Sequence, residues 1–187
     1  MRRSIAVDVD LTIVDSLTPW IKWWSLRTGK SFNWSEVSKE YSINKQLESA
    51  MTREETLEFW KNPALYDGLS PLVGSRNALR LLKSTGHNVF FVSNCEDAHF
   101  DSKKRFLDKF FPFHDGLINT HRKHEIEADI YFDDHVDYVD KIIANRPHSK
   151  VYQFVTKDNE YQLNSEATPL HCWTDFVNLH FGKEYEL

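Results

Sequence analysis

Five short runs of β-branched and aromatic residues recur along the chain, and most stop on small polar or acidic side chains. They are Ser4-Ile5-Ala6-Val7-Asp8-Val9-Asp10, Asn88-Val89-Phe90-Phe91-Val92-Ser93-Asn94, the weaker Gly116-Leu117-Ile118-Asn119-Thr120, Asp129-Ile130-Tyr131-Phe132-Asp133-Asp134 and Lys150-Val151-Tyr152-Gln153-Phe154-Val155. Near-continuous apolarity of this kind marks strands buried on both faces, the habit of parallel sheets. The intervals carry a helical period instead. Ala78, Leu79, Leu81 and Leu82 keep it between Gly74 and Lys83, Phe106, Leu107, Phe110 and Phe111 between Ala98 and Phe111, and Val136, Val139, Ile142 and Ile143 up to Ala144. Strands alternating with helices of about 10–15 residues predict an α/β fold, a doubly wound parallel sheet.

Residues 16–66 interrupt the alternation after the first strand. Their pattern predicts helices around 18–28, 35–49 and 52–61, the last opened by a capping box from Thr52 to Glu55. Five of the six tryptophans (Trp20, Trp23, Trp24, Trp34 and Trp60) fall here, and seven bases against six acids make it nearly neutral. The expected organisation is a core of 1–15 and 67–187 with a helical insertion, 16–66, at the carboxyl edge of the sheet. A length of 187 residues suits one such domain with an appendage.

The whole chain carries a formal charge of −5, whereas a nucleic-acid-binding domain usually shows a basic face, so no stable nucleic-acid complex is expected. Cys95 and Cys172 are too few for a disulfide framework, and Cys172 reads as buried. Nothing near Met1 resembles a signal peptide, and no apolar stretch approaches the ~18 residues of a membrane helix. The expectation is a cytoplasmic protein without a membrane partner. Whether it forms a homodimer is open.

In open α/β sheets ligands bind outside the carboxyl ends of the strands. Those ends carry Asp8 and Asp10, Ser93 and Asn94, and Asp133 and Asp134, with Lys123 in the loop before the fourth strand. Taken singly, each has a plain structural reading: paired acids cap helices, Ser-Asn makes turns, and a lysine is a solvated surface cation. Together, and in this order, they gather four carboxylates, a hydroxyl, an amide and an ammonium at one edge. Like charges so placed call for a cation, and oxygen ligands beside a phosphate point to magnesium.

Asp8-Val9-Asp10-Leu11-Thr12 resembles the DxDxT signature of the haloacid dehalogenase (HAD) superfamily of aspartate-nucleophile phosphatases. Ser93 is similar to its second motif, Lys123 to its third and Asp133-Asp134 to its fourth, and the insertion sits where a C1-type cap sits. The closer likeness is to 5′(3′)-deoxyribonucleotidases. It rests on Thr120-His121-Arg122-Lys123 ten residues ahead of the paired acids, on Leu69-Ser70-Pro71-Leu72-Val73-Gly74, on His171-Cys172-Trp173-Thr174-Asp175, and on Asp15. Leu11 stands where a glycine is usual, and Ser93-Asn94-Cys95 stands for Thr-Ser-Pro.

The resemblance implies a Rossmann-like core under a small helical cap, and hydrolysis of a small-molecule phosphomonoester, a nucleoside monophosphate above all. Asp8 would be the nucleophile and Asp10 the acid–base. Magnesium would be held by the Asp8 carboxylate, the Asp10 carbonyl and the Asp133 carboxylate. Lys123, Ser93 and Asn94 would face the phosphate, with Asp134 behind the metal. Base stacking on cap aromatics is expected of Phe32, Trp34 or Trp60, with Phe59 a further candidate, although a small helical cap also needs aromatics for its own core.

Some features point less sharply. His121 and His124 lack the cysteines of a zinc site and are expected to border the Lys123 loop. His135 could touch phosphate or cap a helix. Lys103-Lys104-Arg105 reads as a solvated helical face. Cys95 is not needed as a nucleophile beside Asp8. Two other functions fit the ordered acids less well: a phosphatase for another phosphoester or a polynucleotide 3′ end, and a non-catalytic, receiver-like phosphate binder.

Overall fold

The computed structural model describes residues 2–37 and 42–182. Six parallel strands form one sheet: β1 (Ser4–Val7), β2 (Asn88–Ser93), β3 (Leu117–Asn119), β4 (Ile130–Asp133), β5 (Lys150–Phe154) and β6 (Thr168–Leu170), in the order β3-β2-β1-β4-β5-β6. Side chains alternate across a strand, and the two faces bury separate cores. Ile5 and Val7, Val89 and Phe91, Ile130 and Phe132, and Tyr152 and Phe154 face one layer. Ala6, Val92, Tyr131 and Val151 face the other.

Helices cover both layers, as a doubly wound sheet requires. On the first pack α4 (Ser75–Ser84) through Ala78, Leu79 and Leu82, α5 (Asp97–Phe110) through Phe106 and Leu107, and α7 (Trp173–Phe181) through Trp173, Phe176 and Val177. On the second packs α6 (Val136–Asn145) through Val139 and Ile142. The predicted α/β class and parallel sheet are present, with two elements the sequence pattern did not reveal, β6 and α7. Strand β6 is three residues at the sheet edge with Pro169 inside it, the kind of strand that only an edge tolerates. Cys172, expected to be buried, is exposed at the residue before α7, while Trp173 next to it is buried.

Between β1 and α4 the insertion is helical but more broken than its sequence predicts. It holds α1 (Leu17–Thr28), a 3₁₀ turn Trp34–Glu36, α2 (Ile43–Glu48), α3 (Arg53–Leu57) and a 3₁₀ turn Glu58–Lys61. Of the predicted 35–49 helix, residues 38–41 lie outside the described residues. The Thr52–Glu55 capping box is formed on both sides, and its Glu55 accepts from the Thr52 N–H at 2.7 Å. Leu17, Ile21, Trp24, Val37, Ile43 and Leu47 make a third core inside the insertion.

Candidate active site

Strand order reverses between β1 and β4, and such a switch point opens a crevice at the carboxyl ends of the strands. Asp8 follows β1 directly, its N–H donating to the Phe132 carbonyl at 2.8 Å, and Asp133 closes β4. The chain then turns back through residues 10–14, where Leu11 N–H donates to the Val14 carbonyl at 2.8 Å and Leu11 adopts a left-handed φ of 57°. Glycine makes that turn without strain. Leucine holds it with its side chain packed against the insertion's core. Asp15 caps the next helix by accepting from Thr18 N–H at 2.9 Å.

Asp8, Asp133 and Asp134 are buried, and an oxygen from each lies within 4.8 Å of the others. Lys123, in a 3₁₀ turn at Lys123–Glu125, lays its ammonium between Asp8 Oδ1 at 2.8 Å and Asp133 Oδ2 at 2.7 Å, with the Tyr138 ring 4.3 Å away. Burial alone would depress this ammonium, but Asp133 and Asp8 hold its pKa above the ordinary value. For Asp8 burial outweighs Lys123, and the carboxyl rises to about 6. Asp134 is pushed well above the usual range by burial and then by Asp8 and Asp133, and among the described residues it has no ion-pair partner within 4.0 Å. Three buried carboxylates against one ammonium make a set short of positive charge, and its all-oxygen donors suit a hard divalent cation.

Asp10 faces elsewhere. Its Oδ2 pairs with Lys103 Nζ at 2.8 Å, and its Oδ1 accepts from the Tyr66 hydroxyl at 2.6 Å. Burial would raise the Asp10 carboxyl, yet Lys103, Tyr66 and the Ser16 hydroxyl together hold it below its ordinary value. Lys103 also donates to Ser93 Oγ at 2.7 Å and has no exposed side-chain surface. The solvated face expected of Lys103-Lys104-Arg105 is therefore correct for two of the three: Lys104 pairs with Asp108 and Arg105 with Asp67 at the surface. Lys103 is the cation that the sequence reading missed. A signal was present, because 99, 103, 106 and 107 share one helical face, and the apolar neighbours on it point inward.

A cavity of about 510 Å³ opens over these groups. Asp8, Asp10, Ser93, Asn94, Lys123 and Asp134 line its core side, and Leu17, Trp20, Ile43, Leu57 and Trp60 its insertion side. Trp60 stands edge-on to Trp20 at 5.5 Å, and its carbonyl is bonded to His99 Nδ1 of α5 at 2.6 Å. Phe32 and Trp34 do not line the cavity. They pack edge-to-face on each other and against Trp24, within the insertion's own core. Phe59 is buried beneath Trp60. A three-helix insertion this small spends most of its aromatics on itself, and Trp20 is the cavity-lining ring that took their place. His135 both lines the cavity and caps α6, accepting from Asp137 N–H at 3.3 Å. His121 and His124 join no metal-capable group among the described residues. Cys95 is fixed by a reciprocal pair of 3.0 Å bonds to the Asn119 side chain.

The loop after β5 secures the acidic turn from below. Asn159 donates to the Asp134 carbonyl at 2.6 Å and to the Phe154 carbonyl at 2.7 Å. It carries Asp158 to the cavity wall and Lys157 to the Trp34 ring.

The sequence-family model described as "5' nucleotidase, deoxy (Pyrimidine), cytosolic type C protein" matches residues 2–180. The chain belongs to this nucleotidase family. A candidate nucleotidase of Bacillus cereus is 21% identical over 184 residues, covering 92% of this chain and 95% of that protein. Among solved structures, a HAD family hydrolase from Deinococcus radiodurans with bound phosphate and sodium superposes with a TM-score of 0.65 at 12% identity, over 95% of this chain and 94% of that one. A candidate HAD-hydrolase of Bacillus subtilis bound to magnesium gives 0.60 at 10% identity, over 95% and 98%. At such identities the likeness concerns the fold, which is the HAD α/β fold. The nucleotidase-family chain is thus a phosphatase acting on a phosphate ester. No helix among its described residues is long and apolar enough to cross a membrane.

Proposed function

We propose that this nucleotidase-family chain is a magnesium-dependent hydrolase of nucleoside or deoxynucleoside monophosphates, working through an aspartyl-phosphate on Asp8. One observation carries the reading. Asp8 lies at the switch point of the sheet with an ammonium at 2.8 Å on one side and, on the other, a second carboxylate, Asp10, held apart on its own cation. Two carboxylates in environments that push their pKa values in opposite directions mark separate roles.

Asp8 attacks phosphorus in line, and the ester bond breaks. Asp10 protonates the leaving oxygen and later takes a proton from the water that hydrolyses the acyl phosphate. Lys123 offsets charge on the transferring group, and Ser93 with Asn94 donates to its oxygens. The residues that would hold magnesium are Asp8 and Asp133, with the Asp10 carbonyl, and the spacing of the carboxylates adds Asp134 to them. The metal would supply charge neutralisation between nucleophile and phosphate dianion.

Residues 16–66 act as the cap over a core of 1–15 and 67–187, and Trp60 with Trp20 offers the flat surface for a base. The charge balance and the cavity's size favour a free nucleotide over a polynucleotide end. Phosphate release from a panel of ribo- and deoxynucleoside monophosphates, with and without magnesium, tests the reading. Full activity in Asp8→Asn would refute the mechanism.

A further inference from the structure

The scheme above uses Asp10 but not the hydroxyl that holds it. We propose that Tyr66 is a positioning residue for the proton transfer: it fixes the plane of the Asp10 carboxyl so that one free lone pair stays available to the ester oxygen. The inference rests on the phosphatase reading of the same site.

A carboxylate offers about four lone-pair positions. Tyr66 takes one on Oδ1, Lys103 one on Oδ2 and the Ser16 hydroxyl another. One is left for the proton that Asp10 must carry. Lys103 alone would not set the carboxyl plane, because an ammonium is a point charge with rotatable donors. A phenol on the opposite oxygen removes that freedom, since any turn of the carboxyl breaks one bond or the other.

Tyr66 itself has little room to move. It is 1% exposed, with its ring against His99 at 5.6 Å and Phe106 at 6.2 Å and the Lys103 ammonium 4.9 Å from its centre. Its N–H donates to Ser102 Oγ at 3.4 Å. All four of these partners belong to α5. Tyr66 also lies where the chain returns from the helical insertion to the core, so the segment that closes the insertion delivers the hydroxyl.

In the step concerned, an Asp8 oxygen bonds to phosphorus and the phosphorus–ester oxygen bond breaks. The electron pair stays on the ester oxygen, and the Asp10 O–H gives that oxygen its proton. The products are the alcohol, the aspartyl-phosphate and the Asp10 carboxylate. A nucleoside leaves as a poor alkoxide and needs the proton. Nitrophenolate leaves without one.

The test is kcat/KM, which reports events up to departure of the alcohol, for Tyr66→Phe on a nucleoside 5′-monophosphate and on p-nitrophenyl phosphate. We expect a fall of about tenfold to a hundredfold on the nucleotide, carried by kcat with KM nearly unchanged, and a change within about twofold on the nitrophenyl ester. Any loss of folded protein scales both substrates alike, so their ratio isolates the proton step. Equal losses on the two esters, or no loss on the nucleotide, would overturn the role of Tyr66 while leaving the phosphatase reading intact. A wild-type protein that hydrolysed neither ester would overturn both.

Discussion

At the scale of single residues, the site is built from buried charges whose partners decide their roles. Lys103 is the clearest instance. Removing one partner of a buried pair leaves the other unpaired, at a cost of about 3–5 kcal/mol when both are fully buried. Asp10 keeps a quarter of its side chain exposed, which lowers that figure. Lys103→Met is therefore expected to lower stability by about 2 kcal/mol in urea unfolding, and to lower kcat at least tenfold. Unchanged stability and rate would contradict the pairing. Leu11 gives a conformational counterpart. At φ 57° the left-handed region costs an L-residue about 1–2 kcal/mol, and β-branching raises the cost. In the same unfolding assay Leu11→Val should lose more than about 1 kcal/mol, while Leu11→Gly, which trades strain for lost packing, should stay within about 1 kcal/mol of the wild type. The acids Asp8, Asp10, Asp133 and Asp134 were legible in the sequence because strand ends and motif order mark them. Tyr66 and Lys103 were not, since nothing local distinguishes a lysine that reaches across a helix–sheet interface from its solvated neighbours.

At the scale of elements, the pattern of apolar runs found five strands and the three long core helices within a residue or two, because burial on both faces leaves an unbroken apolar signal. It failed where the signal depends on tertiary partners. Strand β6 exists because Val155 N–H donates to the Leu170 carbonyl at the edge of β5, and the insertion's helices are too short to show a full period. The β5–β6 loop is likewise silent in sequence, yet its Asn159 amide is the clasp beneath Asp134. Asn159→Ala leaves two buried carbonyls without a donor, and about 2 kcal/mol of stability should be lost, read as a lower urea midpoint at an unchanged m-value. An unaltered midpoint would show that water replaces the amide freely.

At the scale of the whole molecule, the acidic centre sets stability against function. Asp134 is buried among like charges, so Asp134→Asn should raise the thermal midpoint of metal-free protein while weakening its response to magnesium. For the wild type, chelation with EDTA should abolish phosphate release. Restored magnesium should raise the thermal midpoint, by the equivalent of about 2.7 kcal/mol at a hundred times its dissociation constant. A midpoint indifferent to magnesium in both proteins would argue against a cation among the three carboxylates. The sheet carries a different consequence in its connectivity. Strand β1 lies at its centre, yet pairs with β2 and β4, both made much later: Ser4 meets Asn88, and Ile5 meets Ile130. The central strand must wait for most of the polypeptide before it has a neighbour, so the nascent chain holds its future core unpaired. Chain-closure entropy grows only logarithmically, at about 0.6 kcal/mol per doubling of the loop. The loop that houses 16–66 can therefore be lengthened, shortened or exchanged at small thermodynamic expense, and evolution can vary what covers the catalytic edge while leaving the sheet beneath it alone.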